Sequence, residues 1–196
     1  MSARHGLDVC AVARTFLEGG ARLLQLRAKH AASGLMLEWA EAIVRLARPY
    51  GAQVIVNDRA DVARLAGADG VHLGQDDLSP RAARTLLGHE AIIGLSTHDE
   101  AQVTSAAREP LTYIAVGPVF GTTTKETGYG PVGLELVRQA AATAAPVVAI
   151  GGITLANAAS VLDAGARSVA VISDLLVTGD PASRVREWVD VLGASP

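Results

Sequence analysis

The chain lacks most of the features that would place it in several broad protein classes. It holds a single cysteine, Cys10, in 196 residues. That excludes a disulfide framework and points to a reducing, cytoplasmic setting. There is no surplus of positive charge: the formal net charge is −3, so no broad nucleic-acid-binding face is expected. The N-terminal stretch "MSARHGLDVCAVARTF" carries charges where a secretory signal would be apolar. One uncharged run, Gln139 to Leu162, is long enough to span a bilayer, but Pro146, Gly151, Gly152 and Asn157 break it. It divides into a helix end, a strand, a turn and a helix start, so no membrane partner is expected. Lysine is scarce too: only Lys29 and Lys125 occur, against fifteen arginines.

What is present is apolar and regularly punctuated. Hydrophobic residues make up 49% of the chain, enough to bury a good core in one domain spanning residues 1–196. Three segments resemble one another: "EGGARLLQLR" (Glu18–Arg27), "LAGADGVHLG" (Leu65–Gly74) and "DAGARSVAVIS" (Asp163–Ser173). Each reads as a helix end, a Gly-Ala turn and a short apolar strand. Four further apolar runs, Val54–Val56, Ile92–Leu95, Tyr113–Val116 and Val147–Ile150, fit buried strands. Strand ends are thus expected near residues 26, 57, 73, 95, 116, 150 and 171. About eight helices intervene, the first over Leu7–Glu18 and another over Leu35–Ala47. Ser79 before Pro80, and Asp180 before Pro181, read as helix starts. Thr97 with Glu100 reads as a capping box.

Strands alternating with helices imply a parallel sheet with right-handed crossovers. A doubly wound sheet would usually show a glycine-rich turn after its first strand, and none is visible. The expected fold is therefore α/β, a TIM (β/α)8 barrel whose first strand is missing from the count.

Chemistry in such a barrel sits at the C-terminal ends of the strands, and polar residues gather there. They are Gln25, Arg27 and Lys29; Asn57 and Asp58; His72, Gln75, Asp76 and Asp77; Ser96 and His98; Gly151 and Gly152; and Ile172 and Ser173. The segment "GPVFGTTTKETGYGP" (Gly117–Pro131) supplies Thr122, Thr124 and Lys125. Both lysines lie beyond strand ends on this one face. Three sub-sites are expected. "GGIT" and "VISD" each precede a helix and offer backbone N–H groups to a phosphate. Asp58 and Asp77, at neighbouring strand ends, suit a hard cation such as Mg²⁺, although Asp58 also reads as a helix N-cap and Asp77 as a turn residue. Arg27, Lys29, Asn57 and Lys125 would surround a larger anion such as a diphosphate. His72 reads equally as a pocket-lining or a structural histidine. Asp76 has no assigned role, and Cys10 reads as core. No nucleophile–base pair is evident. Two anion sites with a divalent metal suit departure of a diphosphate driven by charge neutralisation.

With these motifs in place the chain resembles the thiamine-phosphate synthase family from Gln25 to Ser173. The matching stretches are "QLRAK", "VNDRADVARLAGADGVHLGQDD", "IIGLSTH", "GPVFGTTTK", "VVAIGGI" and "VAVIS". The resemblance implies a transferase that joins hydroxymethylpyrimidine diphosphate to thiazole phosphate, giving thiamine phosphate and pyrophosphate. It implies that Arg27, Lys29, Asn57, Ser96 and Lys125 hold the diphosphate, with Lys125, Ser96 and Arg27 as the catalytic set. Asp58 and Asp77 would bind Mg²⁺, and Gln25 and His72 would lie around the pyrimidine. Thr122, Thr124, Gly152, Ile172 and Ser173 would hold the thiazole phosphate. The diphosphate would leave first, generating a pyrimidine carbocation that the thiazole nitrogen attacks. Two departures from the pattern are expected to matter. Ala28 stands where the motif commonly carries an acid, and the family's opening strand, such as "LYLVTD", is missing, which would leave two strand edges exposed. A homo-oligomer is left open. The competing readings are a thiazole tautomerase on the same barrel, a Schiff-base aldolase, and a non-catalytic phosphate-binding regulator. Gly121, Gly128 and Gly130 suggest a lid over the site.

Overall fold

The computed structural model describes residues 8–121 and 128–193. Seven parallel strands follow one another in chain order across a single sheet. They are β1 (Leu23–Leu26), β2 (Gln53–Asn57), β3 (Gly70–Leu73), β4 (Ile92–Thr97), β5 (Tyr113–Val116), β6 (Val147–Ile150) and β7 (Ser168–Ala170). Eight helices alternate with them: α1 (Val9–Glu18), α2 (Ser33–Ala47), α3 (Ala60–Ala66), α4 (Pro80–Leu87), α5 (Glu100–Ala106), α6 (Gly133–Ala141), α7 (Leu155–Asp163) and α8 (Pro181–Gly193). This is the expected (β/α)8 pattern with one strand fewer than helices among the described residues. β1 and β7 are the two edges. The helix layer continues past that opening, because α1 packs on both α2 and α8. The fit there is close: a Cβ on Gly19, at the end of α1, would lie 2.7 Å from the Val185 side chain.

Period-2 alternation sorts each strand's side chains between two faces. Leu24, Leu26, Val54, Val56, Val71, Leu73, Ile93, Ile114, Val116 and Ala149 belong to the large shell between sheet and helices. The opposite face lines the lumen, where Ile55, Tyr113 and Ala115 pack together with Ile92 and Val148. The repeated Gly-Ala segments place their turns at equivalent points. Gly67 adopts a left-handed φ of 64° after α3, and Gly165 a φ of 99° after α7, a conformation glycine adopts without a Cβ penalty.

Most expected helix starts hold. Ser79 accepts from the Ala82 N–H with Pro80 in the first turn, and Asp180 accepts from the Ser183 N–H. The Thr97–Glu100 capping box does not form. β4 runs on to Thr97, whose hydroxyl donates to the Ala115 carbonyl. Asp99 caps α5 instead, accepting from the Gln102 N–H at 2.8 Å. Thr97 is wholly buried, so the ladder holds it and the shorter acid two residues on takes the cap. Asp58 is not an N-cap either: α3 begins after Arg59, with no side-chain cap.

Candidate active site

The strand register builds the site. Asn57 pairs with His72, His72 with Gly94, and Gly94 with Tyr113, so these four positions form one row across β2 to β5, facing the lumen. Ser96 occupies the next row up, beside Ala115. Asn57, His72 and Ser96 are all buried, and each sits at or near the C-terminal end of its strand. His72 Nδ1 lies 2.8 Å from the Tyr113 hydroxyl, and His72 Nε2 lies 2.8 Å from Ser96 Oγ. Gln75 donates to the Ser96 carbonyl at 2.6 Å, which holds that strand end from above. On β1, Gln25 is the register partner of Ile55 and so faces the lumen. Arg27 follows two residues on, half-buried. Ala28 is buried in the shell beneath the helices. Alternation therefore sends position 28 away from the site, and the missing acid takes nothing from the anion-facing side.

Charge concentrates where β1, β2 and β3 end. Lys29 Nζ is 3.2 Å from Asp58 Oδ2. Asp58 has a φ of 65°, the one left-handed non-glycine residue among those described. Such strain persists where the surroundings over-determine it, often at functional sites. Burial, and then the Asp77 carboxylate within hydrogen-bonding reach, push Asp58 above the ordinary carboxylate range, while Lys29 pulls it down. Asp77 also closes its own turn, accepting from the Gly74 N–H at 2.7 Å, so the turn role and the pairing with Asp58 coexist. Two carboxylates crowded together on oxygen-rich turns are a donor set that fits Mg²⁺, which takes one or two carboxylates and completes its shell with water or phosphate. Among the described residues no larger His/Cys/Asp/Glu group gathers.

Opposite lies the glycine turn after β6. Gly151 and Gly152 have φ of 94° and 65°, and a Cβ on Gly152 would sit 2.6 Å from the Gly121 carbonyl oxygen. The Asn157 side chain ties the turn to α7, accepting from the Thr154 N–H and donating to the Gly152 carbonyl. Ile172 and Ser173 follow β7, with Ser173 exposed and opening a 3-10 turn over Ser173–Leu175. The loop after β5 is clasped at its base, where Val132 N–H donates to the Pro118 carbonyl and Gly133 N–H to that of Val119. The His98 ring stacks on Tyr129 at 4.1 Å. Thr122, Thr124 and Lys125, and with them the tip of the expected lid, lie outside the described residues. Cys10 is half-buried in α1, and burial pushes its thiol up, consistent with a packing role.

Sequence reasoning missed Tyr113, Asn157 and Asp174. Asn157 carried a local signal, three residues after Thr154 at a helix start. Tyr113 reads as an ordinary strand residue until the register places it opposite Gly94.

The comparisons agree with one another. The family model described as thiamine monophosphate synthase matches residues 2–175. The chain is 46% identical over 177 residues to a thiamine-phosphate synthase of Synechococcus sp. (strain WH7803), covering 90% of this chain and half of that protein. It is 45% identical over 181 residues to the thiamine-phosphate synthase of Koribacter versatilis, covering 92% of this chain and 84% of that one. The solved thiamine phosphate pyrophosphorylase of Pyrococcus furiosus superposes with a TM-score of 0.89 at 33% identity, covering 98% of this chain and 93% of that one.

Proposed function

The chain belongs to the thiamine monophosphate synthase family, and from that premise we propose that it joins hydroxymethylpyrimidine diphosphate to thiazole phosphate, releasing pyrophosphate and forming thiamine phosphate. The observation that carries this reading is the convergence of Arg27, Lys29, Asn57 and Ser96 on the same strand ends as the Asp58–Asp77 pair. Arg27, Lys29 and Lys125 neutralise the diphosphate as the bond between the pyrimidine methylene carbon and its oxygen breaks, and the electron pair leaves with the oxygen. Asn57 and Ser96 fix the diphosphate by hydrogen bonds. Gln25 and His72 lie along the pyrimidine. The thiazole nitrogen then adds its lone pair to the carbocation, forming the C–N bond with no proton to remove.

Asp58 and Asp77 would hold Mg²⁺, which supplies charge neutralisation on diphosphate oxygens. The backbone N–H groups of the Gly152 turn at the start of α7, the Ile172–Ser173 turn, and the hydroxyls of Thr122 and Thr124 would hold the thiazole phosphate. A tautomerase on the same barrel needs little of this diphosphate machinery. The deciding experiment mixes the purified chain with both precursors and Mg²⁺ and assays thiamine phosphate. Product is expected; none from folded protein overturns the proposal. Lys125→Ala is expected to lower turnover by about a hundredfold or more while the fold survives.

A further inference from the structure

The lumen holds a buried polar chain of which the reading above leaves one member, Tyr113, unused. Tyr113, His72 and Ser96 are 7%, 5% and 4% exposed. The Tyr113 hydroxyl reaches His72 Nδ1, and His72 Nε2 reaches Ser96 Oγ, both at 2.8 Å. The reach depends on Gly94, which stands between His72 and Tyr113 in the register row. A Cβ there would lie 2.1 Å from the Tyr113 ζ carbon and 2.4 Å from its hydroxyl oxygen. The phenol thus crosses β4 through the space a side chain would fill.

Proton accounting gives this chain a direction. With one proton on the imidazole ring, the phenol, the ring and the hydroxyl hold three protons for the chain's two hydrogen bonds. If Ser96 donated to Nε2, then Nδ1–H would donate to Tyr113, and the phenol proton would need another acceptor. Among the described residues the phenol oxygen has no hydrogen-bond partner besides His72 Nδ1, and the apolar side chains of Ile55, Ala115, Ile92 and Val148 pack with the ring. A buried donor left without a partner is costly. The opposite direction strands nothing: Tyr113 donates to Nδ1, Nε2–H donates to Ser96 Oγ, and the Ser96 proton is left for a group above the strand ends. Burial raises Tyr113 well beyond the ordinary phenol range, so the phenol keeps its proton.

We infer that Tyr113 is a positioning residue: it holds His72 in the Nε2–H tautomer and thereby aims the Ser96 hydroxyl proton at the substrate diphosphate. The inference rests on the reading of Ser96 as a diphosphate ligand. In this role Tyr113 acts through His72, to which its hydroxyl is bonded.

The first test uses the unaltered chain. Nitrogen-15 spectra of its imidazoles, with the His72 signal assigned by its loss in His72→Asn, should show the proton on Nε2. A proton on Nδ1 overturns the inference. The second test is Tyr113→Phe, which keeps the ring and removes the donor. Its His72 signal should move away from the pure Nε2–H tautomer. Its kcat should fall about tenfold, the scale of one lost hydrogen bond, with the KM for thiazole phosphate unchanged. Ser96→Ala separates the two layers of argument. If Ser96→Ala turns over normally, the diphosphate role of Ser96 falls and the inference with it. If Ser96→Ala is slow while Tyr113→Phe is normal in rate and tautomer, the inference alone falls. If both are slow and the double variant is no slower than Ser96→Ala, Tyr113 works through Ser96 as stated.

Discussion

Asp174 and Arg184 meet edge to edge. Arg184 Nε lies 3.0 Å from Asp174 Oδ2, and Nη2 lies 3.0 Å from Oδ1. Trp188 Nε1 adds a third bond to Oδ2 at 2.8 Å. Asp174 follows Ser173 directly, so this contact between a buried carboxylate and half-buried Arg184 ties the turn after β7 to α8. Removing the carboxylate leaves the buried indole N–H without its acceptor, while Arg184 keeps the Asp174 carbonyl and Glu187.

Asp174→Ala is therefore expected to cost about 1–3 kcal/mol, the range for a buried donor left unsatisfied, here the Trp188 N–H. In a chain of this size that lowers Tm by about 2–12 °C. With the Ser173 turn loosened, the KM for thiazole phosphate should rise while that for the pyrimidine diphosphate holds. Thermal unfolding and steady-state kinetics read both effects. Equal rises in the two KM values would show that the turn serves neither substrate in particular.

Asp58 has the opposite sign. Its folded pKa is raised, by burial first and then by Asp77, so the fold favours the protonated form more than the unfolded chain does. The ionised carboxylate costs stability as pH rises through the ordinary Asp range, and the full cost is present above the raised value. In chelator at neutral pH, Asp58→Asn should melt no lower than the parent. With Mg²⁺ at about 100 times its Kd, the parent should gain about 2.7 kcal/mol, and the variant should gain little. A parent indifferent to Mg²⁺ would remove the metal from the site.

Lys29 makes a related prediction. It pulls Asp58 down, so Lys29→Met should move Asp58 higher still. The pH at which Mg²⁺ stabilises the fold should then rise, because ionised Asp58 appears later. The direct stability change should be small, since Lys29 is exposed and such pairs contribute about 1 kcal/mol or less. Melting with and without Mg²⁺ across a pH series gives the shift; an acid limb that stays put would detach Lys29 from the metal pair.

Much of the fold was legible because its signals are local. Apolar runs bounded by glycine placed β2, β3, β5 and β6 within a residue of where they end, and Ser79–Pro80 and Asp180–Pro181 marked helix starts by their own chemistry. Thr97 failed because a cap competes with the ladder, and burial against Ala115 decides that contest. Asn57, His72 and Ser96 were visible as polar endings of apolar strands. Tyr113 was not, since its role depends on Gly94 in a neighbouring strand and His72 in the next. Asp174 reads like any surface acid after a strand until α8 brings Arg184 and Trp188 onto it.

The two lumen glycines divide the last prediction. A Cβ on Gly70 would lie 1.9 Å from the Ile92 carbonyl oxygen, while one on Gly94 would meet the far end of the Tyr113 ring at 2.1 Å. The first obstacle is backbone in the paired strand β4, so relief means parting two strands of the sheet. The second is a side-chain tip that can swing. Gly94→Ala should therefore fold, at about 1–3 kcal/mol for overpacking, and should lose activity as the phenol leaves His72. Gly70→Ala should cost more than that range and should yield little folded protein. Urea unfolding of both, with turnover of Gly94→Ala, tests the ranking. A fully active Gly94→Ala would mean that the phenol keeps its bond to His72 by another path, and that Gly94 is not what lets it through.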